Sequence, residues 1–328
     1  MIKNILDNAP QNLIIFDSLL ITNNKLKRYN NIMCSISGGA DSDILLDICT
    51  KLDVNKKIKY VFFDTGLEYV ATKNHLQYLE KKYNITIEVE KAIKPISLCC
   101  RQYGVPFLSK QISEWIKRLQ KHNFKWEDKP FDVLYEEYPR CKAALKWWCN
   151  KFDKKKNGQE SSYNINYHKY LKEFLIANPP QFKISNECCT YAKKNVGKKY
   201  KENNHIDLSI IGVRKAEGGA RATAYKTCFS ANDDKADEYR ALFWYKKSDR
   251  EEYETHYDIC HSDCYTKYGL DRTGCAGCPY GGNFEKELEI IHKHEPKLYK
   301  AANKIFGESY EYTRKYREFI LKMESDLS

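Results

Sequence analysis

The spacing of apolar and polar positions changes several times along the chain, and each change predicts an element. Residues 1–30 mix the two classes and predict a leading helix and a turn. Asn31 to Ile36 is a short apolar run that reads as a buried strand. It breaks at the small, polar string Ser37-Gly38-Gly39-Ala40-Asp41-Ser42, after which Ile44, Leu45, Ile48 and Leu52 return at helical spacing. Lys59 to Phe63 predicts a second strand, closed by Asp64-Thr65-Gly66. A helix over Val70 to Tyr83 and a third strand over Ile85 to Val89 follow. This alternation predicts an α/β fold, a parallel twisted sheet with flanking helices joined by right-handed crossovers.

The middle of the chain, from about Gln111 to Tyr170, reads as helical, aromatic and basic, and Asp207 to Val213 as a further strand. Beyond Tyr257 come four cysteines and then a helical tail from Phe284, which Pro296 divides into two helices. The expected organisation is residues 1–256 as one α/β domain and 257–328 as a Cys-rich, metal-binding segment with a helical C-terminal tail, either separate from that domain or integral to it.

Composition adds two constraints. The 328 residues carry a net charge of +11, which suits either a nucleic-acid partner or simply a Lys-rich solvated surface. No apolar run is long enough to span a bilayer, and the early Leu13-Ile14-Ile15-Phe16 stretch stops at Asp17 without the flanks of a signal peptide. The expectation is a soluble, cytoplasmic protein with no membrane partner. Its thirteen cysteines then point to metal ligation or thiol chemistry rather than to disulfides.

The string Ser37 to Ser42 lies where a strand hands over to a helix. Glycines there let backbone N–H groups approach an anion at the positive end of the helix. The hydroxyls of Ser37 and Ser42 add donors, and Asp41 could cap the helix or help to hold Mg²⁺. The string resembles the PP-loop of the ATP pyrophosphatase superfamily, which includes PAPS reductases, APS reductases and DndC-type sulfurtransferases. It differs from many relatives in carrying Ala40 where they carry Lys. Val61-Phe62-Phe63-Asp64-Thr65-Gly66 is similar to the same family's strand ending in an Asp-Thr-Gly turn. The resemblance implies that Asp64, Thr65 and Gly66 border the nucleoside, with Glu68 near. Gly212-Val213-Arg214 with the later Arg221 is similar to the family's Gly-x-Arg turn, which implies that Arg214 and Arg221 bind the anionic end of the substrate. The catalytic residues implied are Asp41, Asp64 and Arg214.

The cysteines allow two groupings. Cys188-Cys189 with Cys275 and Cys278 resembles the [4Fe-4S] ligands of APS reductases. Cys260, Cys264, Cys275 and Cys278 form a local set that suits Zn²⁺, with His261 as a further donor. The segment Arg272 to Pro279 looks like the Gly-Cys-x-x-Cys-Pro turn of PAPS-reductase-like proteins of phages and mobile elements. Cys34 and Cys49 read as packing residues. Trp147-Trp148-Cys149 resembles a segment that precedes the cluster in relatives, and the two tryptophans suit packing or base stacking.

Sulfonucleotide reductases of this family end in a mobile tail bearing a thiolate nucleophile, and no cysteine follows Cys278 here. The expected function is therefore ATP-dependent adenylation coupled to sulfur transfer, with nucleic acid as a fitting acceptor. The sulfur would be carried by Cys99, Cys100, Cys228, Cys260 or Cys264, or brought by a sulfur-donor protein. The alternatives are PAPS or APS reduction with a thiol-supplying partner, and an inactive nucleotide- and metal-containing DNA-binding module.

Overall fold

The computed structural model describes residues 2–326 except 155–156, 219–223 and 234. The chain divides into two compact units. One comprises Met1–Ile93 and Ala192–Ala276, and the other comprises Lys94–Tyr191 and Gly277–Ser328. These units do not follow the expected 1–256 and 257–328 division, because the chain leaves the first unit after the third strand and returns to it at Ala192.

The first unit is built on a six-stranded sheet in the order β3-β2-β1-β4-β6-β5. Its strands are β1 (Ile32–Ile36), β2 (Ile58–Asp64), β3 (Ile87–Lys91), β4 (Leu208–Ile210), β5 (Phe229–Ser230) and β6 (Asp237–Tyr239). All pairings are parallel except β5 with β6. The α/β architecture expected from the sequence is therefore present, with one antiparallel edge. The strand expected at 207–213 is shorter than its apolar run: after Ile210 the chain turns away from the sheet towards Arg214. The edge strand β5 and its neighbour β6 carry no strong apolar signal and were not anticipated.

The helix Ala40–Leu52 packs Ile44, Leu45, Leu46, Ile48 and Cys49 against β1 and β2, all fully buried. Burying each of the larger aliphatic side chains contributes about 1.5–3 kcal/mol. Cys34 lies in the same core, which bears out the packing role expected for Cys34 and Cys49. Because β1 pairs with β2 on one side and β4 on the other, the chain segments that follow β1 and β4 diverge at one sheet edge. A parallel sheet opens a crevice at such a switch point.

The second unit is helical and aromatic. Phe107, Phe124, Trp126, Trp147, Trp148, Phe174 and Tyr312 form its core, so the tryptophan pair packs inward. Pro296 opens the long helix Pro296–Ser325 after the helix Phe284–His294 ends, as the sequence predicted. Tyr310, Tyr312 and Tyr316 of that long helix are buried. Among the described residues no helix is long and apolar enough to cross a membrane.

Candidate functional site

The turn after β1 takes its shape from two glycines. Gly38 has φ +67°, and a Cβ there would meet Thr72 Cγ2 at 2.8 Å. A Cβ on Gly39 would lie 3.0 Å from Thr273 Oγ1 and 3.1 Å from the Tyr265 hydroxyl. No described residue accepts a hydrogen bond from the N–H of Gly38 or Gly39. Both donors therefore remain open at the start of the helix Ala40–Leu52, an arrangement suited to an anion. Ser37 N–H donates to Ser42 Oγ at 2.9 Å, closing the turn on itself, and Ala40 N–H donates to the Tyr265 hydroxyl at 3.2 Å. Ser42 is thus a brace as well as a candidate donor.

Asp41 does not cap the helix, because the cap position is Gly39. Its carboxylate meets Arg214 Nε at 2.8 Å and Arg250 at 3.8 Å, both on the same oxygen. Burial raises the Asp41 pKa, and the two guanidinium groups only partly offset that rise. Asp41 and Arg214, both expected from the sequence as site residues, are paired directly, and that pairing is a tertiary fact. Gly212 passes close to the Asp41 backbone, where a Cβ would sit 3.4 Å from its carbonyl oxygen. Arg221 lies outside the described residues.

The turn after β2 is braced from within. Thr65 donates from its hydroxyl to Glu68 Oε1 at 2.7 Å and from its N–H to the same oxygen at 3.3 Å, and both residues are buried. Gly66, at φ +85°, donates its N–H to Asp64 Oδ1 at 2.8 Å, and Lys73 pairs with Asp64 Oδ2 at 3.0 Å. Cys275 Sγ lies 3.4 Å from Thr65 Oγ1, and Ala276 N–H donates to Leu67 O at 2.8 Å. The half-buried Cys275 is therefore seated against the Asp64-Thr65-Gly66 turn of the first unit.

The sequence reading missed a buried ionic chain behind the first turn. Asp43, 1% exposed, meets His75 Nε2 at 2.9 Å and His261 Nδ1 at 2.8 Å. His261 Nε2 lies 3.1 Å from Glu254 Oε1, and Arg250 Nε lies 3.0 Å from the same oxygen. Burial alone would lower the His261 pKa, but Asp43 and Glu254 outweigh it and raise the value to about 9. His261, considered above as a zinc donor, is thus committed to carboxylates. Asp43 stands within two residues of Asp41, but nothing in the local sequence signals its two histidine partners.

The cysteines separate as well. Cys260 is exposed, whereas Cys264 is buried beside Thr72 Oγ1 at 3.5 Å. In the second unit, hydrogen bonding to Cys100 raises the pKa of the Cys188 thiol, burial adds to the rise, and Cys189 and Cys278 also act on it. Among the described residues no group of three or more His, Cys, Asp or Glu side chains is arranged to hold a metal ion. Cys100, Cys189 and Cys278, which act on Cys188, are soft thiol donors that suit an iron–sulfur cluster or Zn²⁺ better than a hard cation, and the Tyr280 phenol also lies near Cys188, Cys189 and Cys278. Cys100 was considered above only as a sulfur carrier, so its company with Cys188 is new.

Residues 31–123 match the family model of the phosphoadenosine phosphosulfate reductase domain. The matched stretch holds the turns after β1 and β2 and stops before Arg214 and the Cys188 to Cys278 region. Over 308 residues the chain is 24% identical to the uncharacterized protein MJ0066 of Methanocaldococcus jannaschii, covering 93% of this chain and 47% of the relative. The chain thus spans about half the length of that curated relative. Among solved structures it is similar to the PAPS reductase of Candida auris in complex with phosphate (10% identity, TM-score 0.42, covering 77% of this chain and 87% of that one). It is also similar to the U34-tRNA thiolase NcsA of Methanococcus maripaludis with its [4Fe-4S] cluster (10% identity, TM-score 0.36, 90% and 79%). A third is the NH3-dependent NAD synthetase of Campylobacter jejuni in complex with nitrate (12% identity, TM-score 0.35, 92% and 95%).

Proposed function

We propose, from a segment 31–123 of the phosphoadenosine phosphosulfate reductase type, that this chain is an enzyme that binds an adenine nucleotide across the ends of β1, β2 and β4. The observation that carries the reading is the turn Ser37–Ser42, with two open glycine N–H groups at a helix start and Arg214 beside it. These groups would hold the phosphates of ATP, while Asp64 and Gly66 border the nucleoside and Thr65 braces their turn.

In this reading an acceptor oxygen attacks the α-phosphorus of ATP and pyrophosphate leaves. A sulfur nucleophile then displaces AMP from the activated carbon. The open amides and Arg214 stabilise charge on the departing pyrophosphate, where preorganised donors act most strongly. Asp41 Oδ1 already pairs with Arg214 and Arg250, so only its other oxygen would be left to hold Mg²⁺. The basic chain suits a nucleic-acid acceptor, and the sulfur would come from a cysteine of the chain or from a donor protein. Among the described residues the side chains are not gathered as a metal site, and Cys100, Cys188, Cys189 and Cys278, all in the second unit, are the thiols that would have to converge to hold a [4Fe-4S] cluster or Zn²⁺, which would supply thiolate-ligated metal chemistry when bound. Cys275 belongs to the original grouping but sits with Thr65.

The second reading, PAPS or APS reduction with a thiol supplied by a partner, is favoured by the description of the matching family model. Pyrophosphate release from ATP supports the first reading, and sulfite release from PAPS or APS supports the second. If titration of the full chain detects no binding of ATP, PAPS or APS, both fail. Iron, sulfide and zinc analysis of anaerobically purified protein tests the thiol set separately.

A further inference from the structure

Arg250 lies in the helix Lys247–His256, far in sequence from every motif that pointed to the nucleotide, yet it reaches the same Asp41 oxygen as Arg214. The two contacts differ. Arg214 makes an aligned hydrogen bond at 2.8 Å with its side chain 13% exposed. Arg250 stands off at 3.8 Å with its side chain 25% exposed. On its other side Arg250 Nε is in ionic contact with Glu254 at 3.0 Å, but Arg250 Nε, Glu254 Oε1 and His261 Nε2 are all buried without a hydrogen bond. Their proximity without alignment leaves hydrogen-bonding capacity unused beside the open turn. A guanidinium presents a planar fork of donors suited to phosphate or sulfate, and Asp41 alone cannot satisfy two of them.

We propose that Arg250 is a second cationic ligand for the distal anion of the bound nucleotide, the β,γ-phosphates of ATP or the sulfate end of a sulfonucleotide. Asp41 holds both guanidinium groups near the turn until that anion arrives. Glu254, in ionic contact with both Arg250 and His261, keeps a negative charge at the helix-side end of Arg250. Arg214 and Arg250 then approach the anion from the segment after β4 and from the helix Lys247–His256, while the turn after β1 supplies its amides. This inference rests on the nucleotide reading above and extends it to a residue outside the resemblance.

The test is calorimetric titration of the full chain with ATP, AMP and inorganic pyrophosphate. Arg250→Gln is expected to weaken ATP and pyrophosphate binding about tenfold to a hundredfold, as loss of a hydrogen bond to a charged group does, while AMP binding shifts less than about threefold. Arg250→Lys, which keeps the charge, is expected to recover part of the ATP affinity. A variant that merely loosens the helix would weaken ATP and AMP together, and that result overturns the proposal. Unchanged ATP and pyrophosphate affinity in Arg250→Gln overturns it as well while leaving the nucleotide reading intact. If the unaltered chain binds none of ATP, PAPS and APS, the nucleotide reading and this inference fall together.

Discussion

The two units solve the problem of burial in opposite ways. In the first, the helix Ala40–Leu52 and its neighbours bury charged and polar groups, Asp43, Asp47, His75 and Thr72 among them, and each is partnered by another group of the same unit. In the second, the interior is a set of aromatic rings, with Trp148 edge-on to Phe124 and Trp126, and Phe174 against Tyr312 and Tyr316. Ring packing is set by shape and by edge-to-face preference, with few polar groups to satisfy. A buried ionic network holds its members to fixed positions, because an unpaired charge in the interior is costly. The unit that carries the open glycine turn is the one with the buried ionic network.

The largest effect expected from breaking this contrast is in the aromatic unit. Trp148 is fully buried and donates its indole N–H to Glu127 O at 3.0 Å. Trp148→Ala should cost about 3–5 kcal/mol in urea unfolding while leaving ATP affinity of the folded fraction unchanged. Asp43→Asn should cost about 3 kcal/mol, since it strips the shared carboxylate from His75 and His261, and it should also weaken nucleotide binding. A loss of stability without any loss of binding would separate the ionic chain from the site.

The pH dependence sharpens the same point. The folded His261 value of about 9 lies above the ordinary histidine value near 6.5, so between them the native state binds more protons than the unfolded chain. Its contribution is fully present below about pH 6.5 and is lost as the pH rises through about 9. Urea midpoints measured at pH 6 and pH 9.5 should fall accordingly, and His261→Gln should flatten that fall relative to the unaltered chain. The smallest effect belongs to the exposed surface. Lys247 and Glu251 pair at 3.5 Å while 81% and 55% exposed, so Lys247→Ala should change stability by less than about 0.5 kcal/mol.

How much could be read beforehand follows the same division. The glycine turn after β1, the helix behind it and the turn after β2 were legible because local backbone geometry dictates their residues. The ends of β4 and the strands β5 and β6 were not, because three residues or fewer leave no periodicity to read. In the second unit the aromatic residues follow the packing of short helices rather than one regular face, so their pattern blurred.

By itself the sequence determined the order of strands and helices at the sheet's centre, the glycine turn after β1, and the inward fate of Cys34 and Cys49. Tertiary structure alone decided that Asp41 meets Arg214 and Arg250, that His261 serves Asp43 and Glu254, and that Cys188 keeps company with Cys100. The reason is physical. Backbone conformation and amphipathic spacing act over a few residues, so they are written locally. Pairing between charges or thiols depends on which distant segments the sheet brings together, and no short stretch of the chain encodes that.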